Sequence, residues 1–307
     1  MIKELSGKPV AIAINRSIKA LIAEYRLKPT MLLIQVGSDP ASAFYVQSII
    51  SNGAKLGCDC RLHILPAETS ESELLELIQE ANIDPDINGI MIQKPLPRSI
   101  NDSRINLAVS PAKDLDSLHP INLGKILMEL DGFLPCTPAA VLYCMQFYGI
   151  DPQGKKLVIL GRSNVVGKPL ANMLLWKKAF ANATVTVCHS KTAELEKVIS
   201  QADILISAIG VPNFVKECMI KKNSIVLDVG INELKDASGE SYYVGDVDYK
   251  SCYDKVLAIT PVPGGIGRIT TSVLYLNLVK ASLEQQGVNK SIDEYIALIF
   301  SANSKEY

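Results

Sequence analysis

Apolar residues fall at helical spacing in some stretches of the chain and in short uninterrupted runs in others. The spacing predicts helices at 8–26 and 41–56, and the apolar runs predict strands at 31–36, 61–65 and 89–92. Ser70 and Glu73 form a capping box that predicts the start of a further helix. Helices alternating with strands are typical of an α/β domain with parallel pairing, which we predict for roughly the first 95 residues.

The middle of the chain repeats this alternation. Strands are predicted at 157–160, 184–187, 204–206 and 224–229, and helices at 138–148, 270–286 and 291–301. The charged stretch from Ile100 to Asn122 has no clear period, so we expect it to be irregular, like the Gly- and Pro-dense loop 261–267. The pattern therefore predicts two successive α/β series.

The segment KKLVILGRSNVVGKP, residues 155–169, suggests a specific chemistry for the second series. Its apolar run leads to Gly161, and Gly167 precedes an apolar-periodic segment. A strand, a tight glycine turn and a helix place a diphosphate at the helix N-terminus, because Gly161 permits close backbone approach and Gly167 permits close helix packing. The spacing G-x-S-x-x-x-G differs from the common G-x-G-x-x-G, and an ordinary strand-to-helix loop explains these residues equally well.

Length, charge and cysteine content narrow the possible functions. The 307 residues suggest about two domains, and 31 basic against 32 acidic residues argue against a nucleic-acid binder with a broad basic surface. No apolar run approaches the roughly 20 residues of a membrane span, and the N-terminus lacks a secretory-signal pattern. The seven cysteines form no C-x-x-C pair and the three histidines are scattered. We therefore expect a cytoplasmic protein with reduced thiols and no metal site.

Ten short motifs, distributed over most of the chain, resemble those of one protein family in their sequences and in their order. They are GSDPASAFYV (37–46), IQKPLP (92–97), PAKDLDSLHPINLG (111–124), PCTP (135–138), GRSNVVGKP (161–169), ATVTVCHSKT (183–192), ADILISAIG (202–210), DVGIN (228–232), GDVD (245–248) and PVPGGIG (261–267). The series resembles the methylenetetrahydrofolate dehydrogenase/cyclohydrolase family of one-carbon folate metabolism.

This resemblance implies an α/β fold of two domains with a cleft between them that holds the folate. The N-terminal folate-site domain would comprise 1–138 plus about 272–307, since the family's C-terminal helix returns to it. The C-terminal Rossmann-like domain, 139–271, would present NADP to the folate. The resemblance also implies a homodimer built largely through the nucleotide-binding domain.

Three residues match family positions at the folate. Tyr45 matches the tyrosine that stacks on the folate rings, for which an aromatic face is suited. Asp116 matches the aspartate that hydrogen-bonds the pterin, since a carboxylate accepts two parallel N–H bonds. Gln93 matches the glutamine at the reacting centre. We predict Gln93 and Asp116 as catalytic residues, and the predicted substrate-binding residues are Tyr45, Gln93, Lys94, Pro95, Asp116, Pro263 and Gly264.

The chain departs from the family at its catalytic lysine, because Ile49 stands at that position, four residues after the tyrosine. An alkyl group transfers no proton, whereas opening the methenyl ring with water needs a proton acceptor and donor. Hydride transfer mainly needs the methylene carbon held against a nicotinamide in a dry site. We therefore predict that Ile49 impairs hydrolysis far more than oxidation. Lys94, at a usual leucine position, is a solvated charge, a contact to the anionic folate tail or a substitute acid/base. Ser117, where the family has glycine, and Ala140 and Arg268 also depart from the family pattern.

The nucleotide side matches the family more closely. The predicted strand at 184–187 is followed by Cys188, His189, Ser190 and Lys191, so no carboxylate is present there to repel a 2′-phosphate. Arg162 and Ser190 match family positions that contact this phosphate, for which the guanidinium of an arginine is geometrically suited. We predict NADP as the cofactor, bound by Gly161, Arg162, Ser163, Gly167, His189, Ser190 and Ile231.

Three functions remain open from the sequence. The leading prediction is NADP-dependent oxidation of 5,10-methylenetetrahydrofolate to 5,10-methenyltetrahydrofolate by hydride transfer, with weak or absent cyclohydrolase activity. The second is a fully bifunctional dehydrogenase/cyclohydrolase that uses a substitute acid/base. The third is a non-catalytic paralogue that binds folate or nucleotide.

Overall fold

The computed structural model describes residues 3–37, 40–236 and 238–301, with the backbone only for 40–44 and 301. Its α-helices are α1 Gly7–Tyr25, α2 Pro40–Leu56, α3 Glu71–Ile83, α4 Asp102–Ala108, α5 Pro120–Leu127, α6 Cys136–Phe147, α7 Gly167–Leu174, α8 Leu195–Ile199, α9 Tyr249–Cys252, α10 Gly267–Gln285 and α11 Ile292–Ser301. Its strands are β1 Thr30–Val36, β2 Asp59–Leu65, β3 Gly89–Ile92, β4 Lys156–Leu160, β5 Thr184–Cys188, β6 Ile204–Ser207, β7 Ile225–Asp228, β8 Asn232–Lys235, β9 Ser241–Val244 and β10 Ala258–Ile259.

The chain divides into two compact units. The terminal unit comprises Ala13–Cys136 and Thr271–Tyr307, and the central unit comprises Met1–Ile12 and Thr137–Thr270. The start of the chain belongs to the central unit because the Leu5 N–H donates to the Ile259 carbonyl oxygen at 2.8 Å. The predicted limits of the two ligand-binding domains stay a prediction.

The sheet of the terminal unit has three parallel strands in the order β2-β1-β3. All seven residues of β1 are buried, as expected for a central parallel strand whose sequence is a mostly apolar run. On one side of the sheet, Leu32 and Ile34 of β1 pack in a core with Leu74 and Ile78 of α3 and Ile105 of α4. Helix α3 begins as predicted, with the complete capping box of Ser70 and Glu73.

The sheet of the central unit has five parallel strands in the order β10-β7-β6-β4-β5. The chain passes from β4 to β5 on one side and then returns to β6 on the other side of β4, so the winding direction reverses at β4. In open parallel sheets, ligands bind outside the carboxyl ends of the strands at such a reversal. The predicted α/β fold class with parallel sheets is confirmed, and the glycine turn after β4 lies at the reversal.

Two predictions of local structure were wrong or incomplete. The stretch from Ile100 to Asn122 contains α4 and the start of α5 rather than being irregular throughout. Helix α4 begins because the Asn101 side chain accepts hydrogen bonds from the N–H groups of Ser103 and Arg104, and α5 begins with a proline after the capping residue His119. These helices are too short for a clear apolar period. The antiparallel hairpin of β8 and β9 was not predicted either.

Within the described ranges, no helix combines the length and the apolar character needed to cross a membrane. Part of the motif GSDPASAFYV lies outside those ranges, since Ser38 and Asp39 are not described.

Candidate active site

Residues 113–115 run beside β3 and bring polar side chains to the carboxyl end of that strand. They pair with β3 through a parallel bridge centred on Ile90. Two residues further in the same register, Asp116 reaches the end of β3, where the chain continues into Gln93 and Lys94. The sheet edge therefore brings together three of the residues predicted for the folate site.

The surroundings of the Asp116 carboxyl group shift its pKa. Burial, followed by the nearby Asp114 carboxylate, raises its pKa to about 6. A hydrogen bond with the Cys136 thiol and the positive charge of Lys94 act in the opposite direction. Asp116 is thus mostly ionised at neutral pH, and in that form it accepts two parallel N–H bonds, the arrangement predicted for a pterin edge.

The turn 116–119 is held by two buried side chains that the sequence analysis did not place in the site. The Asp114 Oδ2 atom accepts the His119 backbone N–H at 2.8 Å, and the Ser117 hydroxyl donates to the Phe133 carbonyl oxygen at 2.9 Å. Ser117 has φ 56°, a left-handed region that favours glycine, and its hydroxyl bond offsets part of the conformational cost. The available signal for Asp114 was the K-D-x-D sequence of residues 113–116, which places a second carboxylate two residues before Asp116.

Tyr45 lies on α2 and faces the same carboxyl group. Burial of its hydroxyl and the negative charge of Asp116 raise the Tyr45 pKa well above its usual range, although a hydrogen bond with the Thr271 side chain opposes the shift. The phenol is therefore neutral at physiological pH. Tyr45 keeps 37% of its surface exposed, so it offers an aromatic surface to a ligand beside Asp116.

Gln93 and Lys94 have different hydrogen-bonding states. Gln93 is buried and its Nε2 donates to the Lys94 carbonyl oxygen at 2.7 Å, while its Oε1 has no hydrogen-bond partner in the described part of the chain. A buried acceptor without a partner is costly, so Oε1 is a candidate acceptor for a ligand donor. The Lys94 Nζ atom is ion-paired with Asp102 Oδ1 at 2.7 Å. Pro95 follows in a cis peptide bond and is exposed.

Ile49 lies one turn of α2 after Tyr45 and is fully buried. Its carbonyl oxygen accepts a hydrogen bond from the Tyr275 hydroxyl at 2.7 Å. Gly53 makes room for that ring, because a Cβ atom at this position would stand 2.9 Å from the Tyr275 Cζ atom. Ile49 is thus a core side chain with no group that exchanges protons. The absence of a proton-exchanging group at position 49 was predicted from the sequence, but the complete burial of the Ile49 side chain was not.

In the central unit, the turn between β4 and α7 is shaped by two glycines. Gly161 has φ 115°, and a Cβ atom there would collide with the Ala208 carbonyl oxygen. A Cβ atom on Gly167 would collide with the Gly161 carbonyl oxygen. The backbone therefore forms a tight cradle at the start of a helix, which suits a diphosphate. The predicted role of Gly167 was close packing of the helix. At Gly161, the element that approaches closely is the loop after β6, which contains Ala208.

The other residues predicted to bind nucleotide lie on loops after β4, β5 and β7. They are Arg162, Ser163, His189, Ser190 and Ile231. Arg162, Ser163 and Ser190 are exposed, and Ile231 keeps 65% of its surface exposed. His189 Nδ1 accepts the Lys191 backbone N–H at 3.1 Å, which stabilises the turn after β5. Residues 188–192 contain no carboxylate, so this edge fits an NAD(P) molecule, including one with a 2′-phosphate.

Two buried aspartates organise the loops at this edge, and the sequence analysis gave them no role. Asp246 Oδ2 accepts the Ile209 N–H at 2.7 Å, and Asp246 Oδ1 accepts the Val211 N–H at 3.0 Å and the Asn232 side-chain amide at 3.0 Å. Asp246 thus ties the loop after β6 to the segment that follows Ile231. The GDVD motif, with an acid after a buried glycine, was the available signal.

Asp228 is the second of these carboxyls and lies at the end of β7. Its oxygens accept the backbone N–H groups of Gly230 at 3.0 Å and of Val247 at 2.8 Å. Burial, together with the nearby Asp246 charge, raises the Asp228 pKa to about 7 despite these hydrogen bonds. Asp228 also lines a cavity of about 460 Å³ in the central unit.

Pro263 and Gly264, predicted to bind substrate, lie in the central unit rather than with the other predicted folate residues. The Gly264 carbonyl oxygen accepts the Gly7 N–H at 2.8 Å, which fixes the PVPGGIG loop to the start of α1. The Val262–Pro263 peptide bond is cis. Nothing in the structure explains the arginine at position 268.

Comparison with known proteins assigns the chain to a family. Residues 5–116 match the model of the tetrahydrofolate dehydrogenase/cyclohydrolase catalytic domain, and residues 135–286 match that of the corresponding NAD(P)-binding domain. The chain belongs to the tetrahydrofolate dehydrogenase/cyclohydrolase family. It is therefore an enzyme of folate one-carbon metabolism with a Rossmann-like NAD(P)-binding domain.

Relatives and solved structures in this family are similar over most of their length. The bifunctional protein FolD of Chlamydia felis is 42% identical over 275 residues, which are 89% of this chain and 96% of the relative. The FolD structure from Campylobacter jejuni has 39% identity and a TM-score of 0.87, covering 92% and 99% of the two chains. The Trypanosoma brucei FolD, complexed with NADP cofactor and inhibitor, has 30% identity and a TM-score of 0.85, covering 94% and 99%.

Proposed function

We propose that this enzyme oxidises 5,10-methylenetetrahydrofolate to 5,10-methenyltetrahydrofolate with NADP, and that its methenyltetrahydrofolate cyclohydrolase activity is weak or absent. The observation that supports the second part is Ile49, a fully buried alkyl side chain where the family has its catalytic lysine. The dehydrogenase part is supported by the match to both family domains.

Oxidation requires that the folate be positioned against the cofactor and does not require proton transfer by the protein. The residues at the end of β3 could provide this positioning. The ionised Asp116 carboxylate would accept N–H bonds from the pterin, and the exposed ring of Tyr45 would stack on a flat part of the folate. The free acceptor Oε1 of Gln93 would orient a donor near the reacting carbon. NADP, when bound, accepts the hydride, so the chain contributes orientation and exclusion of water.

Hydrolysis asks for a group that takes up and returns a proton near neutral pH. Burial raises the pKa of both the Tyr45 hydroxyl and the Cys136 thiol, which keeps these groups protonated. Lys94 is engaged with Asp102. None of these three offers the ready proton acceptor that the family lysine provides. Asp116, whose pKa is about 6, does exchange a proton near neutral pH, but its carboxylate would be committed to the N–H groups of the pterin edge. We therefore propose the lower hydrolase activity.

NADP rather than NAD is supported by Arg162 and Ser190, two exposed polar residues at the family's 2′-phosphate positions. The missing carboxylate at the end of β5 points the same way. The related Trypanosoma brucei structure contains NADP. By family resemblance we also propose that the enzyme is a cytoplasmic homodimer, for which sedimentation of the purified protein is the test of assembly.

A fully bifunctional enzyme is the second candidate, and two observations favour it. Several relatives are named bifunctional proteins, and Lys94 places an amine beside Asp116 at the end of β3. If Lys94 performs the proton transfers, hydrolysis proceeds at a rate comparable to oxidation, and Lys94→Met abolishes hydrolysis while oxidation continues.

The test is a paired assay on purified protein, with NADP reduction from methylenetetrahydrofolate in one arm and methenyltetrahydrofolate hydrolysis above the uncatalysed rate in the other. We expect the native enzyme to oxidise methylenetetrahydrofolate at a clearly measurable rate. Its rate of methenyltetrahydrofolate hydrolysis should be at least tenfold lower than its rate of oxidation. Ile49→Lys should raise hydrolysis about tenfold or more if the buried site accommodates the amine, whereas the volume-matched control Ile49→Met should leave both rates near those of the native enzyme. Comparable native rates would refute the loss of hydrolysis, and the absence of NADP reduction would indicate the non-catalytic paralogue.

A further inference from the structure

Lys94 introduces a cation next to the predicted pterin-binding carboxylate, and the proposed function gives it no role. The parallel register of residues 113–115 with β3 places Asp116 at the end of the strand that leads into Lys94. The Lys94 side chain keeps only 30% of its surface exposed, so its charge is partly withdrawn from solvent. A charge in this setting acts more strongly on its neighbours than a fully solvated one.

The ammonium group of Lys94 is held in place by α4. Its Nζ atom lies 2.7 Å from Oδ1 of Asp102, the first residue of that helix. The start of α4 is itself ordered by Asn101, whose side chain accepts the N–H groups of Ser103 at 2.9 Å and Arg104 at 3.2 Å. Asp102 thus anchors the lysine to a capped helix end instead of leaving it to sample solvent.

Asp116 needs a neighbouring cation because its other surroundings favour its neutral form. Burial and the Asp114 carboxylate both oppose ionisation, and Tyr45 offers no positive charge. The Cys136 thiol and Lys94 are the two groups that favour the charged form, and Lys94 is the charged one of the two. A neutral carboxyl has one oxygen committed as an O–H donor, so it accepts two parallel N–H bonds poorly.

We propose that Lys94, anchored by Asp102, is a positioning residue that keeps the Asp116 carboxylate ionised at neutral pH, ready to receive the 2-amino-4-oxopyrimidine edge of a folate. This role rests on the proposed folate site but requires neither hydride transfer nor hydrolysis. It assigns a use to the lysine that stands at a family leucine position.

The experiment measures nucleotide-free binding of folic acid and of pteroic acid, which lacks the glutamate tail, by calorimetry from about pH 5 to about pH 8. In the native protein, affinity should fall on the acid side of about pH 6, where Asp116 becomes protonated. Lys94→Met should move this midpoint upward by a few tenths of a pH unit and weaken binding about twofold on the acid limb, for both ligands. Lys94→Arg should restore the native midpoint.

A further variant separates the charge of Lys94 from that of another cation nearby in sequence. Arg104→Met removes another cation of α4, one that pairs with Glu71 at 2.6 Å, and should leave the midpoint unchanged.

An unchanged midpoint in Lys94→Met would overturn the proposal even if affinity falls. A loss confined to folic acid would assign Lys94 to the glutamate tail and would overturn it equally. If neither ligand binds the native protein at any pH, the folate site itself is wrong and the proposed function falls as well. If both bind and only the midpoint fails to move, this proposal alone is refuted.

Discussion

Asp228 is a carboxyl group that the folded chain holds in its protonated form up to unusually high pH. Burial raises its pKa to about 7, while the ordinary value is 3.8. The folded state therefore binds this proton more tightly than the unfolded state between those two values. Stability from this group is present at low pH and is lost as pH rises through the window, with a slope of at most about 1.4 kcal/mol per pH unit.

Asp228→Asn should remove this pH dependence. An asparagine does not titrate, and its amide would point a donor at either the Gly230 or the Val247 N–H, which should cost about 1–3 kcal/mol at pH near 4. The deficit relative to the native protein should shrink as pH approaches 7. Urea unfolding at several pH values measures both effects, and the exposed Asp254→Asn serves as control with the native slope. If the free energy of unfolding of Asp228→Asn depended on pH as steeply as that of the native protein, Asp228 would not be the titrating group.

Some residue roles could be predicted from the sequence, and others depend on contacts that only the fold creates. Ile49 was identifiable because chemistry excludes proton transfer by an alkyl group wherever it lies. Asp228 and Asp246 were not, because an acid after a strand looks the same in sequence whether it is solvated or buried. Their burial depends on Gly230 and Gly245, where added Cβ atoms would collide with the two carboxylates.

At the scale of elements, the start of α7 is the most sharply testable feature. Gly167→Ala would place a methyl group against the Gly161 carbonyl oxygen, so the helix must retreat from the turn. We expect the KM for NADP to rise at least tenfold, while nucleotide-free folic acid binding is retained. Gly124→Ala is the matched control, since a Cβ atom there has no neighbour within 4 Å and alanine favours the helix. An unchanged KM for NADP would remove this turn from the cofactor site.

The elements most visible in sequence were those with long apolar patterns. β1 and α3 were predictable because a buried run and a capping box specify them locally. The short helices α4 and α5 were not, since they are specified by one capping side chain each rather than by periodicity. The hairpin of β8 and β9 has only partly buried or exposed residues, so it lacks the apolar alternation from which a strand is predicted.

At the scale of the whole molecule, each unit has its own parallel sheet. The predicted ligand contacts divide between the units in the same way, except that Pro263 and Gly264, predicted to bind substrate, lie in the central unit. Tyr45, Gln93 and Asp116 lie in the terminal unit, while the turn 161–167 and the loop 188–192 lie in the central unit. A ligand stabilises the states that contain its folded site, by about 2.7 kcal/mol at a concentration of 100 times Kd. Ligand-induced protection should therefore report the unit to which each ligand binds.

Hydrogen exchange with each ligand separately tests this division. NADP should slow exchange most in 161–167 and 188–192, and folic acid should slow it most in 93–95 and 114–118, because the backbone groups of these segments surround the predicted contacts. Gly167→Ala should weaken the NADP effect at a fixed NADP concentration and preserve the folic acid effect, which controls for general loss of folding. If NADP protects 93–95 and 114–118 as strongly as its own turn, the two units open as one cooperative body, and the nucleotide then stabilises the folate site before any folate is bound.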